Sequence, residues 1–359
     1  MSLLFVNMIF KKFKLNNVTL NNRIVISPMC QYSSVNGSPS KWHYQHLGKL
    51  AISGAGMLMI ESTSINKVGK ITHKDMCLYN NQHEKNFNKL IKYLKTISNI
   101  PIGLQISHSG RKGSANVPWL KTNVPLNTKQ KKWQTLAPSP LKKDKNWPVP
   151  KEMNFKQINK LKNDYRNCAL RAKRIGLECL EIHMAHGYLL HEFFSPISNI
   201  RKDKYGGNLK NRAKLLIEIG SIVRKIWPKD KILGARVTAT DHMQKGINIS
   251  DSIYLVKELK KIGFDYVCIS SGGIKSKTKL RSYKGFRVNL AEKIKKSSKI
   301  KVRTSGLLND LNFMKKIISQ EKCDFVAVGR KFLLNPNWLQ NSRTKYKFKV
   351  PNQYLRGIN

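Results

Sequence analysis

The sequence lacks several common signals. None of its six cysteines (Cys30, Cys77, Cys168, Cys179, Cys268 and Cys323) forms a CxxC pair. That removes the usual spacing of a zinc site or an iron–sulfur cluster, and scattered single thiols suit a reducing, cytoplasmic setting. No apolar run approaches the roughly 18 residues of a membrane span. The opening MSLLFVNMIFKKFKL carries its charges after the apolar stretch and has no small-residue cleavage site, which argues against a signal peptide. Acids are scarce: 20 Asp plus Glu stand against 67 Lys plus Arg in 359 residues, a formal net charge of +47. Such an imbalance fits either a polyanionic partner or compositional drift. The basic residues are spread as KKFK, KQKK, LKKDK and KIKK rather than gathered in one block, which favours drift. Weak non-specific binding to nucleic acid is expected either way.

What is present is rhythm. At 40% hydrophobic residues the chain can bury a sizeable core. Eight short apolar runs read as strands: residues 23–30, 56–62, 102–108, 179–184, 232–238, 265–271, 300–306 and 324–330. They are apolar almost throughout, as expected of parallel strands covered by helices. Amphipathic stretches at 86–97, 164–176, 211–227, 250–263 and 309–319 read as the helices between them. Two of these end in Ile-Gly, at 175–176 and 262–263, where glycine can stop a helix. Eight strand–helix units predict an α/β fold, a (β/α)8 TIM barrel, as one domain over residues 1–359. The competing open doubly wound sheet lacks a GxGxxG loop after its first strand. Residues 113–150, rich in Pro, Lys, Asn and Trp, break the rhythm after strand three and are expected to form a lid.

Catalytic groups of such a barrel come from the C-terminal ends of its strands. Those ends carry Ser27-Pro28-Met29-Cys30, Glu61-Ser62, Gln105 with His108, His183 with His186, Arg236, Ser270-Ser271-Gly272-Gly273, Ser305-Gly306 and Gly329-Arg330. The last two groups belong to strands seven and eight, where a phosphate commonly binds. Their glycines let backbone N–H groups approach it, and Arg330 adds charge. His183, His186 and His191 could be metal ligands, an acid/base pair or hydrogen-bond donors. Residues three apart at a strand end do not share the fixed face that two histidines one helical turn apart do, so no metal is expected.

Several blocks, in order, resemble the Old Yellow Enzyme family of FMN-dependent ene-reductases. They are NNRIVISPMCQYS (21–33), IGLQISHSGRK (102–112), APSP (137–140), the run from EIHMAHGYLLHEFFSP to NRAKLL (181–216), ARVTATD (235–241), SSGG (270–273) and DFVAVGR (324–330). The likeness is strongest to the bacterial NADPH dehydrogenase branch, which carries a Cys by the flavin, and it spans essentially the whole chain. It implies that Ser27, Pro28, Met29, Cys30 and Ser62 touch FMN. Gln105 would face the flavin pyrimidine and Arg236 its N1 and O2 edge. Gly306, Gly329 and Arg330 would hold the phosphate. His183 and His186 would donate to a substrate carbonyl, and Tyr32 would contact substrate; Tyr188 is the nearest candidate in sequence for the proton donor, with loop packing as its competing role.

The implied cycle is ping-pong. NADPH gives hydride to flavin N5, and the hydride then passes to the β-carbon of an activated alkene. The tail PNQYLRGIN resembles a segment whose arginine reaches a neighbouring subunit. That makes Arg356 (tail 343–359) a shared-site residue and implies a homodimer or a dimer-based tetramer. Lys204 and Lys210 stand where relatives often carry acids, a departure that falls on the surface. Two alternatives stay open but fit the sequence less well. A tRNA-dihydrouridine synthase needs an added helical RNA-binding domain, and too little chain follows Arg330 to supply one. An inactive basic binding protein would have little use for intact flavin and histidine positions.

Overall fold

The computed structural model describes residues 8–120, 124–276, 278, 280–340 and 351–357. Strands β1 (Phe13–Leu15) and β2 (Val18–Leu20) form an antiparallel hairpin ahead of the main sheet. That sheet is a closed barrel of eight parallel strands. Its strands are β3 (Ile24–Ile26), β4 (Met57–Ser64) and β5 (Ile102–Ser107), then β8 (Cys179–Met184), β9 (Ile232–Thr238), β10 (Tyr266–Ser270), β11 (Lys301–Thr304) and β12 (Phe325–Val328). β12 pairs back onto β3 and closes the ring. The short strands β6 (Leu136–Ala137) and β7 (Lys151–Glu152) pair with each other outside it, between β5 and the next helix. All eight expected strands are present. Several are trimmed at the C-terminal end, because segments such as Ser27–Cys30 leave the sheet to line its mouth.

Side chains alternate along each strand, as a two-residue period requires. On β8, Leu180, Ile182 and Met184 join the core shared with the helices, while Cys179 joins the cluster inside the barrel. That inner cluster includes Met57, Met59, Ile232, Tyr266 and Phe325. The β1–β2 hairpin adds Phe13, Leu15 and Leu20 to it, with the Phe13 and Phe325 rings 5.4 Å apart. The hairpin thus plugs the N-terminal end of the barrel and leaves the C-terminal end for chemistry.

The helices are α1 (Lys41–Ala51), α2 (Asn81–Ile97), α3 (Phe155–Arg174), α4 (Leu189–Phe194), α5 (Leu209–Ile226), α6 (Ile249–Ile262), α7 (Val288–Ser298), α8 (Leu311–Ser319) and α9 (Arg330–Leu334). Abundant asparagine is put to use at their starts. Asn80, Asn154, Asn208 and Asn248 each accept the N–H three residues on, a cap worth about 1 kcal/mol. Gly263 ends α6 in the left-handed region, as its sequence position predicts.

Helices α1, α7 and α9 do not stand out in the sequence, and α2 and α3 begin five and nine residues before their expected starts. In α1 the buried face mixes His43 and Gly48 with Leu47 and Leu50, which blurs its period. The segment Leu189–Phe194 is a six-residue helix. Residues 113–120 and 124–150 run mostly irregularly but are anchored: Arg201 Nη1 donates to the carbonyls of Pro138 (2.8 Å) and Met153 (2.7 Å). Among the described residues no helix is long and apolar enough to cross a membrane.

Candidate active site

A cavity of about 770 Å³ opens at the C-terminal mouth of the barrel. Eight of the residues singled out in the sequence line it: Ser27, Pro28, Met29, Arg236, Ser305, Gly306, Gly329 and Arg330. So do Phe286, Arg287 and Lys331, whose roles the sequence does not announce. The lining holds three arginines and a lysine and no carboxylate. Arg236 is a cation whose Nε has no hydrogen-bond partner among the described residues. Arg287 reaches the hydroxyls of Ser271 and Ser305, both at 3.3 Å. Burial, with Arg236 beside it, brings its guanidinium down to about 10, so it is still charged at neutral pH. Arg287 follows the sixth barrel strand, which puts it at the mouth, but one arginine has no contrast in so basic a sequence.

Below the mouth lies a buried polar layer. Gln105 and Glu181 are paired across β5 and β8, and the Gln105 amide N–H donates to Glu181 at 2.7 Å. The Tyr266 hydroxyl donates to the same carboxylate at 2.7 Å, and Arg303 forms an ion pair with it. The carboxylate needs donors, so the Gln105 NH2 group is committed to it and the amide oxygen is left to accept from a neighbour.

One side of the mouth is held by Glu61 on β4. Its carboxylate accepts the Gln31 N–H at 2.9 Å and lies 3.2 Å from His43 Nε2 on α1. This fixes the turn carrying Cys30 and Tyr32, and Tyr32 takes a left-handed backbone (φ 47°). Burial, then Glu61 and Asp75, push the Cys30 thiol well up, while the Ser62 N–H and the Tyr32 hydroxyl bond to the sulfur. Cys30 is therefore a thiol at neutral pH.

The histidines stand at the end of β8. His183 Nδ1 accepts the Ala185 N–H at 3.1 Å, and its Nε2 is 3.3 Å from His186 Nδ1. His186 Nε2 is 2.5 Å from Ser270 Oγ on β10. Burial, then Arg236, hold both rings well below their ordinary range, so both are neutral. The approach of β8 to β10 depends on two glycines. A Cβ on Gly187 (φ 70°) would sit 2.2 Å from the Gly273 carbonyl oxygen, and one on Gly273 (φ 97°) would sit 2.7 Å from the His186 backbone. The Tyr188 ring meets His183 edge-on at 4.9 Å. Burial, with Cys30 near, raises its hydroxyl, which stays protonated. Lys112 Nζ caps the His186 carbonyl at 2.7 Å and lies 4.9 Å from the Tyr188 ring centre. Burial brings Lys112 down to about 7.

His191 serves the site indirectly. Its Nδ1 accepts the Gly187 N–H at 2.7 Å, and its Nε2 lies 3.1 Å from Asp241. It braces the loop that presents His186. Among the described residues no three His, Cys, Asp or Glu converge as metal ligands would.

Residues 8–348 match the NADH:flavin oxidoreductase / NADH oxidase family. The chain belongs to that family. It is 34% identical to an NADPH dehydrogenase of Clostridium acetobutylicum over 98% of this chain and 99% of that one. It is 33% identical to the NADPH dehydrogenase of Bacillus subtilis over 97% and 98%. Among solved structures, morphinone reductase superposes with a TM-score of 0.78 at 22% identity, covering 96% of this chain and 91% of that one. The Old Yellow Enzyme homologue of Zymomonas mobilis gives 0.78 at 20%, covering 97% and 95%. At such identities the structural likeness speaks for the fold, a TIM barrel.

This oxidoreductase is an FMN enzyme of the Old Yellow Enzyme type, and its mouth fits the group. FMN carries a phosphate anion and a flavin whose reduced form is anionic. The acid-free arginine lining, the unpartnered Arg236 Nε and the backbone left bare at Gly306 (φ 128°) match that demand. Cys30, Ser62 and Gln105 stand outside the cavity lining, at the side and floor of the same mouth. Arg356 lies apart, exposed in a 3-10 turn over Asn352–Gly357. The rest of the tail, 343–350 and 358–359, lies outside the described residues.

Proposed function

We propose that this flavin oxidoreductase is an NADPH-driven ene-reductase acting on alkenes activated by a carbonyl. One observation carries the reading. Two neutral imidazoles present His183 Nε2 and His186 Nδ1 only 3.3 Å apart, beside an arginine-lined cavity. Two ring nitrogens converging on one point, each able to carry a hydrogen, suit one carbonyl oxygen that gains negative charge during reaction. When bound, FMN would supply the hydride-transfer chemistry between NADPH and the substrate β-carbon. Arg330, with Gly306 and Gly329, would hold the phosphate, and Arg287 is a further anchor. Arg236 would stabilise negative charge at the ring. Ser27, Pro28, Met29, Cys30 and Ser62 would flank the ring, and the Gln105 amide oxygen would accept from its pyrimidine N–H. Tyr32 would contact substrate. Tyr188, held protonated by burial, would supply the proton to the α-carbon.

The same reading has residues 113–150 as a lid that sets substrate preference. It has Arg356 reaching the site of a second copy in a homodimer or dimer-based tetramer, and a cytoplasmic enzyme. The +47 charge has no assigned partner beyond weak non-specific contact with nucleic acid.

Purified protein is expected to be yellow, to bleach anaerobically with NADPH, and to recover its colour with cyclohexenone. In the His183→Ala/His186→Ala variant, NADPH should still bleach the flavin while enone-driven recovery falls by at least 100-fold, the usual cost of losing an oxyanion donor. Recovery at the wild-type rate in that variant would overturn the reading.

A further inference from the structure

The two histidines raise a problem that geometry solves at Ser270. His183 Nδ1 accepts a backbone N–H, which can only donate, so the neutral His183 ring carries its hydrogen on Nε2. That hydrogen faces His186 Nδ1 at 3.3 Å. With the rings bonded directly at that distance, the arrangement that satisfies every atom has His186 Nδ1 bare and accepting. The His186 hydrogen is then on Nε2 and donated to Ser270 Oγ at 2.5 Å. In that state the pair offers a carbonyl one donor, because His186 presents a lone pair to the gap. For both rings to donate to one oxygen, His186 must carry its hydrogen on Nδ1, and its bare Nε2 must then find a donor. The group in place is the Ser270 hydroxyl, which can accept in one orientation and donate in the other.

We propose that Ser270 is a positioning residue that switches the tautomer of His186. It accepts from Nε2–H when the gap is empty and donates to Nε2 when a carbonyl oxygen lies between the rings. One proton leaves Nε2 and one is gained at Nδ1, both exchanged with water, so charge and proton count are unchanged. The site thus closes its donor pair only around an acceptor, and the ligand-free rings do not set two N–H groups against each other. Ser270 is fully buried at the end of β10, and the glycine contact of Gly187 with Gly273 holds its strand against the histidine loop. The proposal rests on the reading that His183 and His186 bind a substrate carbonyl.

The test uses oxidised holoenzyme without reductant, labelled with 15N-histidine, with and without saturating 2-cyclohexen-1-one. Wild-type His186 should show a protonated Nε2 alone and a protonated Nδ1 with the enone. In Ser270→Ala the change should not occur, and the enone Kd, read from flavin absorbance, should weaken about tenfold, the worth of one hydrogen bond. Ser270→Thr, which keeps the hydroxyl, should restore both. A His186 tautomer that is the same in both wild-type states overturns the switch, as does Ser270→Ala with wild-type affinity. If His183→Ala/His186→Ala binds the enone as tightly as wild type, the carbonyl-binding reading fails and the switch with it. If that variant loses binding but the tautomer never changes, the switch alone fails.

Discussion

Removing Arg303 while leaving Glu181 should unsettle the barrel more than any surface change. Both side chains are fully buried, and besides Arg303 the carboxylate receives N–H and O–H donors from Gln105 and Tyr266 at 2.7 Å each. Arg303→Met keeps most of the volume but strands a negative charge inside the sheet. Breaking one half of a buried pair costs about 3–5 kcal/mol. Unfolding entropy near 2.1 cal/mol/K per residue gives roughly 0.75 kcal/mol/K for a chain of this size, so Tm should fall by about 4–7 °C. Glu181→Gln on top of Arg303→Met removes the stranded charge, and the double variant should recover at least half of the loss. The assay is thermal unfolding at saturating FMN, with FMN Kd measured separately because bound cofactor itself raises Tm. Kd carries a second message. Once Glu181 is an amide, the Gln105 NH2 is no longer held to a carboxylate, so FMN affinity should change in Glu181→Gln even where stability is recovered. The reasoning is refuted if Arg303→Met melts with wild type, or if the two substitutions lower Tm additively.

Three further outcomes follow from the same structure. Arg287→Gln should weaken FMN binding about tenfold and flatten its dependence on salt, because one of three arginines on the cavity is lost while Ser271 and Ser305 stay in place; unchanged affinity in a titration at two ionic strengths would remove Arg287 from the cofactor site. Burial raises the Glu192 carboxyl to about 8, above its ordinary value near 4.3, so the folded state holds the extra proton. Stability from this group is full below about pH 4 and is lost as pH rises through 8, so wild type should lose stability relative to Glu192→Gln across that window in unfolding midpoints taken by pH. Gly187→Ala should cost about 1–3 kcal/mol, since its Cβ would press on the Gly273 carbonyl at a left-handed backbone position, and enone turnover should fall more than FMN content. Equal loss of both would show that the glycine supports the barrel rather than the histidine loop.

The fold was legible because the barrel strands are short, mostly apolar runs that alternate with amphipathic stretches. The positions at the mouth were legible because a parallel barrel sends all its strand ends to one side. What the sequence did not disclose are pairings between distant segments: His43 with Glu61, Ser270 with His186, Arg303 with Glu181, and the direction in which the Gln105 amide points. A period or a spacing carries no information about which side chain meets which across a barrel. One composition signal does bear on them. Only 20 acids occur in this chain, and Glu61, Asp75, Glu181, Glu192, Asp241 and Asp324 are buried. Five of these six hold a part of the site or its surroundings in place. Glu61 fixes the Cys30 turn, Asp75 binds the N–H groups of Ile71 and Thr72, Glu181 orients Gln105, Glu192 accepts the Arg111 N–H, and Asp241 braces His191. Drift toward lysine can replace a surface acid at little cost, but replacing one of these would leave one or more buried donors without an acceptor. In a chain this basic, an acid inside an apolar run, as in IES, EIHM or HEFF, is therefore itself a pointer to the supports of the site.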